Sequence, residues 1–158
     1  MKGRKPKPTG LRLIENNREG RPLNKSEAVV PPSLPNPPAH LSSEALEEWS
    51  RVGTELYNCG LLGGVDRAVL AAYCQCYGRW VQAENAIKKM AARDELTNGL
   101  MIKTTNGNAI QNPLVGTANK AAADMARYAA EFGMTPSARS RISANPPEKE
   151  SALKKYFA

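Results

Sequence analysis

The stretch Gly60-Leu61-Leu62-Gly63-Gly64-Val65-Asp66-Arg67-Ala68-Val69-Leu70-Ala71-Ala72-Tyr73-Cys74-Gln75-Cys76-Tyr77-Gly78-Arg79-Trp80-Val81 decides the fold. A glycine-rich corner opens it, and a helical pattern follows from about Val65 to Arg93. Asp66 stands in the first turn and Lys88, Lys89 and Arg93 in the last, where each charge complements the helix dipole. At 1.5 Å per residue this helix is about 43 Å long. Leu70, Tyr73, Tyr77, Trp80, Ile87 and Ala91 follow a seven-residue repeat interrupted by Glu84, and Val69, Cys76 and Val81 widen the stripe. One short helix cannot cover that much apolar surface, so the pattern calls for a third helix or a second copy of the chain.

Upstream, a first helix begins after Leu41. Ser42 or Ser43 accepts from its unpaired amides, Glu44, Glu47 and Glu48 sit at the positive end of its dipole, and Gly60 ends it. Leu46, Trp49, Val52, Gly53 and Leu56 form the apolar face, opposite Glu47, Arg51 and Glu55. Downstream the period changes. Leu100 to Asn112 has the form of a β-hairpin turning on Asn106-Gly107, the two-residue signal of a type I′ turn with positive φ at both positions. A third helix runs from about Leu114 to Phe132, with Leu114, Ala118, Ala121, Met125, Tyr128, Ala129 and Phe132 along one side. Thr135 then caps a short turn starting at Pro136, with Arg139 and Arg141 facing outward.

The ends differ in composition from this middle. Residues 1–40 hold 8 of the 12 prolines. They read as a basic arm over 1–28 and a stiff, polyproline-like spacer over 29–40 that holds the arm roughly 35 Å from the core. The fold class is therefore mainly α. Three main helices, one of them long, and a small β-hairpin near 100–112 make a core over 41–142. A disordered basic arm precedes it and a polar tail, 143–158, follows.

The chain of 158 residues carries 22 Lys and Arg against 15 Asp and Glu, a net charge of +7. Residues 1–40 hold 8 basic and 3 acidic side chains, 41–138 hold 9 and 10, and 139–158 hold 5 and 2, so the segments carry +5, −1 and +3. Positive ends on a neutral middle suit a polyanion followed by the tails better than an acidic substrate held in a cleft. Three cysteines without an export signal are no disulfide framework, and no run approaches the ~18 apolar residues of a membrane span.

Catalytic constellations are missing from the pattern. The single histidine, His40, lies in the spacer, where nothing rigid orients it as a base. Cys74 and Cys76 point roughly 200° apart around a helix and, with Cys59, make three thiols without a fourth ligand, so buried structural cysteines are expected. Gly60 to Gly64 has no lysine and is no phosphate loop. Asp66, Glu84, Asp94 and Asp124 show no paired spacing. The expectation is a protein that is not an enzyme, with no metal and no cofactor.

What remains points to nucleic acid and self-association. Lys2, Arg4, Lys5, Lys7, Arg12, Arg18, Arg21 and Lys25 are spread along the arm without an aromatic, which suits phosphate neutralisation more than base stacking. Helix-turn-helix reading of a groove is disfavoured, because after Asp66-Arg67 the second helix offers Ala68, Val69, Leu70, Ala71 and Ala72. The aromatic stripe Tyr73, Tyr77 and Trp80, with Leu70, Ile87, Met125 and Tyr128, reads as an interface between copies of the chain. A small dimeric transcriptional regulator or nucleoid-associated protein is the competing reading.

The order of several short matches resembles the small subunit of the tailed-phage DNA-packaging terminase. These are Gly3-Arg4-Lys5-Pro6-Lys7-Pro8-Thr9, Asn16 to Pro22, Pro37-Pro38-Ala39-His40-Leu41-Ser42, Glu48-Trp49, Gly60-Leu61-Leu62 with Asp66-Arg67-Ala68, Tyr73-Cys74 with Tyr77, Asn106-Gly107, Asn112-Pro113, and Phe132-Gly133-Met134-Thr135-Pro136-Ser137-Ala138-Arg139-Ser140-Arg141. Gly63-Gly64 departs from the pattern, since a polar cap such as Thr is expected there. The resemblance implies a non-enzymatic, ring-forming subunit in the cytoplasm of the infected bacterial host. It would engage double-stranded viral concatemeric DNA and recruit or stimulate the large ATPase and nuclease subunit. On that basis Arg139 and Arg141 become further DNA contacts, and Leu153, Tyr156 and Phe157 of the tail a contact with a partner; no membrane is involved.

Overall fold

The computed structural model describes residues 30–139 and Ile142. Helix α1 spans Ser43–Asn58, with Ser42 extended at its N-cap and the Ser42 hydroxyl accepting from the Ala45 amide at 3.4 Å. Ala45, Trp49, Val52 and Leu56 are buried, a stripe at steps of four, three and four that faces the core. Leu46 was expected on that face but is 39% exposed, because the stripe runs through Ala45 instead. The Cys59 cap and Gly60, at φ 69°, end the helix.

The corner to the long helix is tighter than the sequence suggests. Gly64–Asp66 makes one 3₁₀ turn, the Asp66 carboxylate accepts from the Gly63 amide at 2.9 Å, and α2 spans Arg67–Ala91. Its 25 residues give about 37 Å. Gly63 stands where a polar cap was expected for a steric reason. Pro32 bridges Gly63 in antiparallel fashion, and Val30 occupies the space that a side chain at Gly63 would need.

That bridge corrects the picture of a free spacer over 29–40. The Ser33 amide donates to the Leu62 carbonyl at 3.0 Å and Arg67 Nε donates to the Asn36 carbonyl at 2.7 Å. Leu34 lies over Gly53 of α1. Proline removes ladder donors, but Ser33 supplies one between two prolines, and Val30 and Leu34 gain partial apolar cover. Residues 30–38 therefore strap the corner.

After α2, the Asp94 carboxylate accepts from the amides of Leu96, Thr97 and Gly99 and from the Thr97 hydroxyl, closing a compact loop. Gly99 has φ 74°, and a Cβ there would meet the Ile87 carbonyl at 2.8 Å, so this position has no room for a side chain. Strands β1 (Met101–Lys103) and β2 (Ala109–Gln111) pair antiparallel, with Ile102 opposite Ile110. The turn is not the expected two-residue type I′. Gly107 donates to the Thr104 carbonyl at 2.9 Å, and Gly107 has positive φ while Asn106 does not. This is a three-residue connection with the glycine as a bulge, a twist-compatible alternative that needs only one left-handed residue.

Helix α3, Pro113–Glu131, returns along α2 and makes the most extensive contact between any two elements. The short α4, Pro136–Arg139, follows, and the Thr135 hydroxyl accepts from the Ala138 amide at 3.2 Å. One core joins the pieces: Leu41, Trp49 and Leu56 meet Leu62, Leu70, Tyr73 and Cys74, and Phe132 closes it. Mainly α with a small hairpin is thus the observed class.

Asn112 ties three elements together. It is 2% exposed; its Oδ1 accepts from the Leu114 amide at 3.0 Å to cap α3, and its Nδ2 donates to the Gly99 carbonyl at 2.7 Å. Asn112→Ala loses a cap worth about 1 kcal/mol and strands a buried carbonyl worth about 1–3 kcal/mol, so urea unfolding should show a loss of roughly 2–4 kcal/mol. Asn112→Ser, which can keep the cap but cannot reach as far, should fall between the alanine variant and the native chain.

Candidate nucleic-acid and assembly surfaces

The α1–α2 junction is built around a buried charge. Glu48 is 3% exposed, one step from Trp49 on the core side of α1. Its Oε1 accepts from the Tyr73 hydroxyl of α2 at 2.8 Å and from Arg51 at 2.6 Å, while Oε2 accepts from Arg51 Nε at 2.8 Å. The bidentate guanidinium reaches in from solvent and satisfies the carboxylate together with the phenol. Burial first, and then the Glu48 carboxylate, push the Tyr73 phenol well above its ordinary range. The helix pattern alone marks Glu48 as a dipole charge; its place beside Trp49 and between Ala45 and Val52 is the available signal for more.

The residues expected at an interface between copies divide into two groups. Leu70, Tyr73 and Ile87 are buried inside the single chain, with Leu70 wholly enclosed. Assigning them to such an interface is corrected, because α1 and α3 already cover that stripe of α2. Tyr77 and Trp80 are half-buried and meet edge to face with centroids 6.1 Å apart. Met125 and Tyr128 of α3 pack on the core from its margin, and Arg127 lies 5.4 Å over the Tyr128 ring while pairing with Asp124 at 3.0 Å.

Of the cations expected to meet DNA, Arg139 is described and lies exposed on α4. Lys2, Arg4, Lys5, Lys7, Arg12, Arg18, Arg21, Lys25 and Arg141 lie outside the described residues, as do Leu153, Tyr156 and Phe157. A cleft of about 810 Å³ escaped the sequence reading. It lies between the first half of α2, the later part of α3 and the Pro38–His40 segment, and Arg67, Gln75, Arg79 and Asp124 are among its lining residues. Only the antiparallel return of α3 brings these residues together, so no local pattern could have marked them.

A family described as phage terminase, small subunit, matches residues 45–149. The chain belongs to this family. Neither curated proteins nor solved structures gave a match. The family assignment places the protein in viral DNA packaging by a bacteriophage.

In this terminase small subunit the thiols are unequal. Cys59 is exposed, contrary to the expectation that all three are buried, because it caps α1 at the surface; Cys74 and Cys76 are buried. Burial, followed by the nearby Glu48 charge, raises the Cys74 thiol from 9.0 to about 12. Cys76 is raised in the same direction by burial and by Asp124. Among the described residues no group of three or more His, Cys, Asp or Glu is placed to hold a metal ion.

These shifts set an alkaline limit on the fold. Groups with raised folded values stabilise the native state below their unfolded values, near 9 for Cys and 10 for Tyr, and lose that contribution as pH rises toward the folded values. The unfolding free energy from urea titrations should therefore decline above about pH 9, by up to about 1.4 kcal/mol per pH unit for each such group. Cys74→Ala should flatten the first part of that decline. Tyr73→Phe should flatten the part above about pH 10 while costing about 1.5–3 kcal/mol at neutral pH through loss of a bond to a charged acceptor.

Proposed function

We propose that this small subunit is an oligomeric, ring-forming regulator of packaging. In this reading it engages double-stranded viral concatemeric DNA in the host cytoplasm and recruits or stimulates the large ATPase and nuclease subunit. The family match over residues 45–149 carries the reading. Charge supports it: the matched region contains the near-neutral helical core, and the cations gather at the ends of the sequence.

The division of labour follows from electrostatics and packing. The arm, with Lys2, Arg4, Lys5, Lys7, Arg12, Arg18, Arg21 and Lys25, neutralises phosphates, and each neutralised phosphate releases condensed counterions. Arg139 and Arg141 add a second point of attachment. Tyr77, Trp80, Met125 and Tyr128 contribute to assembly, and Leu153, Tyr156 and Phe157 of the tail meet the large subunit. ATP hydrolysis and DNA cleavage belong to that partner, so the small subunit acts without a cofactor or a catalytic residue of its own. No helix among the described residues is long and apolar enough to cross a membrane.

Assembly multiplies the arms. Each additional copy engages the duplex at high effective concentration, so weak single attachments add up to firm, salt-sensitive binding. The assembling unit includes residues 30–38, since that strap packs on the corner.

Deleting residues 1–28 should lower the slope of log affinity against log salt by about 0.9 for every phosphate that the shortened chain leaves un-neutralised, measured by fluorescence anisotropy on duplex DNA. An unchanged slope would move the DNA-binding surface to the core. Residues 30–142 alone should retain the oligomeric mass by light scattering, and a monomer would refute the ring.

A further inference from the structure

Two apolar surfaces lie at opposite ends of α2, and they differ in shape. The first protrudes. Among the described residues β1 and β2 pair only with each other, and Leu100, Ile102 and Ile110 share one face of the hairpin. Leu100 is 51% exposed, Ile110 42%, and Leu96 in the preceding loop 91%. From Leu96 to Asn112 the one charged side chain is Lys103. A two-stranded hairpin is marginal in water by itself, and charge-poor, apolar surface is the composition of a contact core.

The second surface is the cleft of about 810 Å³. Val65, Ala68, Ala71 and Ala72 supply its apolar lining, and Arg67, Arg79 and Asp124 its charged margin. Val65 is 72% exposed. Gln75 Oε1 is buried there without a donor, the one such side-chain atom among the described residues.

We propose that the hairpin of one copy docks in the cleft of the next, making a head-to-tail contact between copies of this chain. One chain cannot join its own two surfaces, because Ala71 and Ala91 are roughly 30 Å apart along a rigid helix. A contact between unlike surfaces leaves one of each free on every pair, so it propagates until a ring closes. A protruding apolar surface, a concave one with apolar lining, and a charge-poor insert against a charged margin select the same occupant. This inference rests on the ring reading and assigns its contact.

Complementation tests it. Ile110→Glu disables the hairpin, and Ala68→Glu disables the cleft while placing a carboxylate in the first turn of α2, where the dipole favours it. In native mass spectrometry of full-length chains, each variant alone should be monomeric, and an equimolar mixture should give a one-to-one pair that grows no further. Ile110→Thr, which keeps the β-branched shape, should weaken assembly at least about tenfold with an unchanged circular dichroism spectrum. Variants that retain the native oligomeric mass, or a mixture that stays monomeric while both are folded, would overturn the contact and leave the ring standing. A monomeric native chain would instead overturn the ring reading itself.

Discussion

A carboxylate buried between two helices is tolerated in few arrangements, and Glu48 restricts the whole N-terminal half. Its oxygens need the Tyr73 hydroxyl from α2 and the Arg51 fork from its own helix at the same time. Sliding α1 by one residue would strand the charge, which costs several kcal/mol, whereas an apolar pair in its place would allow neighbouring registers at little cost. With α1 fixed on α2, the connection between them has to be short, and Gly60 to Gly64 makes it so. The tight corner in turn exposes the Leu62 carbonyl and the Gly63 backbone, to which the proline-rich strap attaches.

The same constraint makes α2 asymmetric. Its first half lies under α1, the corner and the strap, its far end meets the Asp94 loop and the hairpin, and α3 runs along both. Asn112 anchors that far end through the Gly99 carbonyl, while Glu48 anchors the near one. Each junction is a polar group satisfied from two elements, and that fixes geometry more narrowly than apolar packing does. Between them the apolar stripe of α2 is free to use small residues, and Ala118 and Ala121 of α3 are buried in the interior.

Much of this is legible from local chemistry. The Ser42 cap, the Gly60 stop, the change of period at Leu100 and the Gly133 stop are signals confined to a few residues, and each element stands within about two residues of its expected place. Where a choice depends on distant neighbours, local pattern misleads. Leu46 and Ala45 serve the period equally, and only the position of α2 decides between them. Proline-rich composition says that residues 30–38 cannot form a core of their own, not that a core nearby will decline them. The aromatic repeat of α2 carries no mark of whether α3 or a second copy covers it, so periodicity sends Leu70, Tyr73 and Ile87 outward although they face in. The cleft has no sequence signature because Arg67 and Asp124 meet only after the chain doubles back.

The strap links these local facts to the proposed division between assembly and DNA binding. Because Val30 is held beside Gly63, the basic arm is rooted at the start of α2, a few residues from Val65 and Arg67 at the cleft. A free spacer would have let the arm sweep a radius of roughly 35 Å from the core edge; docking removes that freedom and fixes the origin. In a head-to-tail assembly the cleft is the junction between copies, so each arm would start next to a junction. In the proposed assembly, chain continuity would couple the two proposed activities. A change that loosens the strap moves the root of the arm and the margin of the contact together, and the salt dependence of DNA binding would follow the state of assembly rather than the arm sequence alone.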